Sequence, residues 1–460
     1  MGLCFWSKRW SDVGVFMLVS VAFWIYADAR TTWRRESPVE QLIRQAVVDI
    51  HYPVETHSGS SIQYDAGLRV KGGVERVLLS TDVVGAGYGD RLVADVRLRR
   101  LSPDNSYRRY LLSEGYGALG RIERIYRLEQ GGASFSLVGW GRRVRARLIS
   151  DFEQVSASVL RPEVRGVTYA LALGDRSQLP VEIREGFRDA GVAHVLAVSG
   201  YHLGVIFFLL SWVVSRALWR WRHRQLRYLL LMGGTLGYTL LTGCSTATVR
   251  AFVMSSLVLL ASLFGRRTDK VQLLSLTLLI FLIHEPMSYL SVGLMLSVSA
   301  VWGILTFLPL FRQLITPSIP LLSALRDALF VSVSAQIGVL PFLFLFFGRA
   351  NLGVVWSNIP LMYLSALAIP YGLLLVVVVG VVGSIPSFLL VIQGWLVEAM
   401  IRVTQYFSIG APYLSSTGEM DLVQVVLYYS VVLVIYRLVA SQINARTPAR
   451  HILDEKVGLH

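Results

Sequence analysis

Ser199 and His202 stand three residues apart in HVLAVSGYHLG, residues 194–204, inside a long apolar run. Residues at i and i+3 are neighbours on a helix, so this hydroxyl and imidazole can touch. Such a pair is the minimum equipment of a nucleophile with its base. His194 lies five residues before Ser199, roughly 140° round a straight helix, and cannot join them there. The span offers no carboxylate to orient the imidazole. Two other readings fit the same residues: polar groups that pack helices and bond backbone atoms, or the lining of a polar path. Composition leaves all three open.

Other polar residues stand in apolar surroundings. Arg250, in STATVRAFVM, either snorkels outward or offers a guanidinium to a phosphate. Gln336, in SAQIGVLP, and Asn358, in WSNIP, sit beside helix-breaking residues, where hydrogen bonding between helices is the expected role. Several signatures are absent from the sequence. It has no GxxxxGK[ST], no HxHxDH or HExxH and no EF-hand loop, so no cofactor, no metal and no enzymatic activity of those kinds is expected. GYGALG, residues 115–120, has the letters of a dinucleotide motif but follows a helical insert and reads as a turn. Cys4 and Cys244 form no CxxC pair.

The elements that hold these residues follow from composition. Of 460 residues, 54% are hydrophobic and 16% charged, with mean hydropathy +0.54. A soluble domain carries about a quarter charged residues, so the chain reads as a polytopic membrane protein with soluble mass attached. The run VGVFMLVSVAFWIYA follows Lys8 and Arg9 and reads as a retained anchor. Residues 28–165 are different, with 22 Arg or Lys against 17 Asp or Glu. In RLVADVRLRRL, Leu92, Ala94, Val96 and Leu98 share one face of a strand. Ser134–Val138 and Arg142–Leu148 also read as strands, and Gly-rich turns separate them. This pattern predicts a small β-barrel of OB-like type. LPVEIREGFRDAG, residues 179–191, reads as an amphipathic surface helix ended by Gly191.

From residue 192 to about 440 the chain is mostly apolar, with about ten segments near bilayer length. Pro360, Pro370 and Pro386 predict broken or re-entrant helices among them. The expected fold is therefore a polytopic α-helical membrane protein of ten to eleven spans. An N-terminal extracytoplasmic OB-like β-barrel precedes the bundle. The expected boundaries are an anchor at 1–30, the β domain at 31–165 and an interfacial region at 166–191. The bundle follows at 192–440 and a cytoplasmic tail at 441–460. Five arginines in RALWRWRHRQLR and three basic residues in GRRTDK mark cytoplasmic loops. Counting spans back places residues 28–190 outside and Lys8 and Arg9 inside. The basic excess of the external domain then needs another explanation, an anionic partner. Tyr64, Tyr88, Tyr107, Tyr110, Tyr116 and Tyr126 among its arginines suit stacking with single strands.

The stretch LALGDRSQLPVEIREGFRDAGVAHVLAVSGYHLGVI resembles the ComEC competence family, whose hallmark is Gly-Asp-Arg, then Phe-Arg-x-Ala-Gly, then His-x-Leu-Ala-hydrophobic-Ser-Gly-x-His. LTGCSTATVRAFVM, VGLMLSVSAV and SVSAQIGVLPFLFLFFGRANLGVVWSNIPL support it. YGDRLVADVRLRRLSPDNSYRRYLLSEG is similar to the family's external OB-like domain. The resemblance covers roughly residues 85–380. It implies a bacterial inner-membrane channel passing one DNA strand into the cytoplasm during natural transformation. The motif positions are Gly174, Asp175, Arg176, Phe187, Arg188, Gly191, His194, Ser199, Gly200, His202 and Gly204. Of these, His194, Ser199, Gly200 and His202, with Tyr201, Arg250, Gln336 and Asn358, are candidates to line or gate the DNA path. The others are expected to be structural. Met295 departs from the glutamine, and Tyr201 from the leucine, common in the family. Implied partners are single-stranded DNA, membrane lipids, a periplasmic DNA-binding protein and a cytoplasmic helicase or motor. The metallo-β-lactamase-like domain of many members has no counterpart here, so a separate nuclease is also expected. Alternative readings are an intramembrane Ser/His hydrolase and a transporter of small anionic or lipid-linked substrates.

Overall fold

The computed structural model describes residues 40–54, 62–70, 73–81, 90–100, 111, 116–129, 137–218, 224–265, 269–284, 291–314, 319–409, 413–415 and 422–457. The expected anchor and most of the helical insert at 106–115 lie outside them.

Strands β1 (Glu40–Val54), β2 (Ile62–Val70), β3 (Gly73–Thr81), β4 (Arg91–Arg100) and β5 (Ala118–Glu129) close into a barrel in the order β1-β2-β3-β5-β4. Pairing is antiparallel except between β3 and β5, which run parallel. This is the expected OB-like barrel. Leu92, Ala94, Val96 and Leu98 point inward and join Val48, Ile50, Leu68, Val77 and Leu79 in the core. Their neighbours Arg91, Asp95, Arg97 and Arg99 point outward, as a period of two requires. A bulge in β1 between Ile43 and Ala46 holds Gln45 at φ 49°. Its N–H leaves the ladder and donates to Asp95 Oδ1 at 2.8 Å.

The strand expected at Arg142–Leu148 is helix instead. Helix α1 (Leu137–Ser156) buries Ile149, Phe152 and Ser156 at spacings of three and four. Alternation of Val144, Ala146 and Leu148 mimics a strand only in a window too short to show that longer period. Helix α2 (Pro162–Leu173) returns against it. Phe152 meets Tyr169 edge-on at 5.9 Å, and Tyr169 donates its hydroxyl to Glu153 at 2.6 Å. Burial, then the Glu153 hydrogen bond, push the Tyr169 pKa well above the ordinary phenol value.

Helices α3 (Val181–Asp189), α4 (Ala193–Leu196), α5 (Gly200–Ala217), α6 (Arg224–Leu241), α7 (Thr246–Leu263), α8 (Lys270–His284), α9 (Val292–Leu314), α10 (Pro320–Phe347), α11 (Val354–Val382), α12 (Ser387–Ser408) and α13 (Leu422–Val457) follow. Short strands β6 (Arg349–Asn351) and β7 (Tyr413–Ser415) pair with each other. Seven described helices contain segments long and apolar enough to cross a membrane: α5, α7, α9, α10, α11, α12 and α13. The chain is a polytopic membrane protein with a small N-terminal barrel. The ten to eleven spans expected include α6 and α8, which fall short in the structure. Helix α6 carries Arg224, Arg227 and three glycines, and α8 has 15 residues.

Two compact units divide the chain. The first holds the barrel, α1, α2 and α4 to α8, with residues 364–402 of α11 and α12. There α1 sits on α6, where a Cβ on Gly141 would come 2.4 Å from Leu240 O. Gln393 of α12 is fully buried and donates to Thr168 of α2 and to Ala368 O, each at 3.4 Å. The second unit holds residues 186–192, 295–363 and 403–460. There α9 and α10 cross at contact distance: a Cβ on Gly303 would lie 2.3 Å from Ser334 O, and one on Gly338 2.1 Å from Ser299 O. Pro341, inside α10, has no N–H to give the carbonyl four residues back, at Ile337. Tyr428 of α13 donates to that oxygen at 3.1 Å, and Tyr429 donates to Gly338 O at 2.6 Å.

Candidate functional site

Three motif segments meet in the first unit. Helix α2 ends at Gly174, a left-handed cap at φ 72° whose N–H returns to the last turn. A Cβ there would be strained by the backbone and would also lie 2.8 Å from Val198 Cγ2. Asp175 accepts from Ser177 N at 2.8 Å, which turns the chain sharply. Its other oxygen lies 3.8 Å from Arg145 Nε, and Arg145 also donates to Thr242 O at 3.4 Å. Arg145 of α1 thereby joins the turn at Asp175 to the turn between α6 and α7. Arg176 contributes its carbonyl, which accepts from Leu179 N and Arg184 Nη2.

The opening stretch is not one continuous helix. It forms the single turn α4, an extended step through Ser199, then α5 starting at Gly200. Ser199 is the N-cap, at φ −119° and ψ 176°. The 140° offset that separated His194 from Ser199 assumed a continuous helix, which the chain does not form. The Ser199–His202 contact does form. Nδ1 accepts the Ser199 backbone N–H at 3.3 Å and lies 3.1 Å from Ser199 Oγ. Because Nδ1 is an acceptor, the neutral ring carries its proton on Nε2. His202 thus fills the place that Glu or Gln takes in a capping box. It is 1% exposed, and Nε2 has no hydrogen-bond partner. His194 is exposed. Tyr201 is partly exposed and sits edge-on to His202 at 6.2 Å. Gly200 faces α7, where a Cβ would lie 3.7 Å from that of Ala251. Gly204 has open space, so close packing does not explain it.

Arg250 does not snorkel. Its side chain is buried, and Nη2 donates to Gly293 O, at the start of α9, at 3.1 Å. In the second unit, Asn358 donates to Ser332 Oγ at 2.8 Å, the expected bond between helices. The Nε2 of Gln336 is buried without a partner. Gly191 closes α3 at φ 77°, and a Cβ there would lie 3.0 Å from Val354 Cβ. Asn351 and Ser357 hydrogen-bond the carbonyls of Asp189 and Ala190. Phe187 is fully buried, whereas Arg188 is exposed. Sequence reasoning overlooked Arg145, Gln393 and Asn351, whose partners are far away along the chain and leave no local signature. Among the described residues, no three His, Cys, Asp or Glu side chains gather as a metal site.

The barrel presents a second candidate surface. Arg97, Arg99, Arg121, Arg124 and Arg127 of β4 and β5 are exposed, and Arg44 of β1 is exposed as well. Arg97 stands directly opposite Arg121, a pairing that costs stability between like charges. Glu123 compensates in part, 2.6 Å from Arg97. Tyr126 lies among them, under the Arg124 guanidinium at 5.5 Å, with its hydroxyl on Asp95 at 2.9 Å.

The chain is similar over part of its length to three curated proteins. Over 159 residues it is 28% identical to ComE operon protein 3 of Bacillus subtilis, covering 35% of this chain and 20% of that one. Over 211 residues it is 28% identical to Competence protein ComA of Neisseria gonorrhoeae, covering 45% and 29%. Over 217 residues it is 26% identical to Recombination protein 2 of Haemophilus influenzae, covering 45% and 26%. The matched stretches thus span less than a third of each relative. No solved structure matches the chain. The Competence protein family profile matches residues 171–442, from the last turns of α2 through the opening stretch and the spans beyond it. That is more than half of the sequence, and the chain belongs to the competence protein family.

Proposed function

We propose that this protein is an inner-membrane conduit that passes single-stranded DNA into the cytoplasm during natural transformation. The observation that carries the reading is the arginine face of β1, β4 and β5, with Tyr126 inside it, on a chain of the competence family. Phosphates attract such a face irrespective of sequence, and an exposed aromatic stacks on any base. The basic loops of the sequence support an external barrel and a bacterial inner-membrane location. Each nucleotide brings a charge, so the strand needs a polar route. Ser199, Gly200, Tyr201, His202, His194, Arg250, Gln336 and Asn358 are the residues proposed to line or gate it. A separate nuclease, a periplasmic DNA-binding protein and a cytoplasmic motor complete the system.

The test is import of labelled DNA already captured outside the inner membrane. Deletion of the gene abolishes it. His194→Ala or His202→Ala abolishes it with the protein still inserted at normal levels. Normal transformation in both variants would sink the role given to these histidines.

The 3.1 Å Ser199–His202 contact supports a second reading, an intramembrane hydrolase. Against it, Nδ1 already accepts a backbone N–H, and capping accounts for the pair. Covalent labelling of Ser199 by an active-site serine probe would favour the hydrolase.

A further inference from the structure

Charged side chains cluster halfway along α12. Glu398 lies near the midpoint of this 22-residue helix, about 15 Å from either end at ~1.5 Å per residue. Arg161 Nη2 donates to its Oε1 at 2.8 Å, and Arg402 Nη2 lies 3.5 Å from its Oε2. Side-chain exposures are 63% for Arg161, 29% for Glu398 and 79% for Arg402. Arg161 comes from the turn between α1 and α2, where Ala157 and Ser158 are also exposed. The exposed stripe of α12 is apolar before this cluster, through Phe388, Ile392 and Trp395. It is apolar again after it, at Tyr406, and Ile409 just past the helix end is exposed as well.

Helix α12 has the length and composition to cross a membrane. Hydrocarbon is a poor neighbour for three charges at that depth, and irregular backbone there must be buried in protein or line water. Their exposure means that no described segment of this chain buries them, and charges at that depth then call for water beside them. We propose that the α1–α2 turn and the middle of α12 line a water-filled recess in the membrane, where Arg161 and Arg402 bind the phosphodiester backbone of the passing strand. This rests on the conduit reading. Glu398 holds the guanidiniums when no strand is present, and a phosphate offers them the same paired oxygens. Exchange between carboxylate and phosphate makes each contact reversible, as conduction requires.

The test uses the full chain with Cys4→Ser and Cys244→Ser, in vesicles of both orientations. A charged, membrane-impermeant thiol reagent is added to Arg402→Cys and to Leu367→Cys, an exposed apolar position midway along α11. The thiol introduced on α12 is modified from one side of the membrane, and the thiol introduced on α11 from neither. Equal inertness of the two removes the recess. Cross-linking of the α12 thiol to its counterpart in another copy, with no reagent labelling, also overturns it, because a second chain then covers this face. In cells, Arg402→Glu lowers DNA import about tenfold or more, as expected for a lost charge-assisted contact, and Arg402→Lys retains most of it. Unchanged import in Arg402→Glu defeats the phosphate role while the conduit reading stands. Import that survives deletion of the whole gene defeats the conduit reading and leaves the thiol result to be judged alone.

Discussion

In β4 every second residue faces solvent, and most of those are charged: Arg91, Asp95, Arg97 and Arg99. The barrel interior behind them is apolar, and its polar edge is held by pairs such as Asp49 with Arg69 and Arg91, at 3.1 and 2.7 Å. The helical region handles polar atoms differently. Thr168, Thr235, Thr239 and Thr277 are buried, and each donates to a carbonyl four residues back. Its helices come within contact distance of one another's backbone at Gly141, Gly303 and Gly338. A sheet separates core and surface residue by residue, so its outer face is free to carry a binding function. Packed helices in lipid gain little from apolar burial and depend on close approach and satisfied carbonyls. Substitutions therefore act in different ways in the two regions.

The largest effect is expected at the helix crossing. Gly338→Leu forces a side chain into Ser299 O and costs about 3 kcal/mol or more, read as loss of folded protein in detergent. A stable, folded variant would break the claim that close approach governs this region. Leu79→Ala, in the barrel core, costs about 3 kcal/mol, but faster hydrogen exchange stays within β1 to β5. Spread of that exchange into the spans would erase the distinction between the regions. Tyr429→Phe removes the hydroxyl bond to the Gly338 carbonyl and costs about 1 kcal/mol, measured by thermal unfolding beside the wild type. Arg97→Ala shifts stability by no more than about 0.5 kcal/mol, yet lowers oligonucleotide affinity and reduces the salt slope by about one. A changed stability with unchanged DNA affinity would make the arginine face structural.

The smallest effect concerns pH. The Gln45 N–H, opposed by partial desolvation and aided by the Tyr126 hydroxyl, holds the Asp95 carboxyl below its ordinary value of 3.8. Its contribution is therefore present above that value and is lost as pH falls through the depressed one. Hydrogen exchange around the β1 bulge should rise in that acid window. Asp95→Asn should remove the dependence.

Much of this was legible in the residues. Leu92 to Leu98 alternate cleanly because one face of β4 is buried and the other is wet. Gly191 ends its helix as expected, since its φ of 77° suits glycine. The strand predicted over Arg142–Leu148 failed because α1 buries residues at 149, 152 and 156, beyond the window that alternates. Around Ser199–Gly200 the offsets were counted on a straight helix, but Ser is a good N-cap, and the helix starts there. Contacts such as Arg161–Glu398 and Arg145–Asp175 join distant segments, and no local pattern announces them.

The parallel pairing of β3 with β5 bears on the order in which the chain is made. Strand β1 ends at Val54, but one of its two neighbours, β4, ends only at Arg100, and the strand that closes the barrel ends at Glu129. The β2–β3 hairpin can form early. Until the last strand emerges, β3 and β4 each keep an unpaired edge, the surface on which strands of other chains aggregate. A nascent chain stalled between Arg100 and Ala118 should therefore be a client for chaperones. The same stall after Glu129 should not.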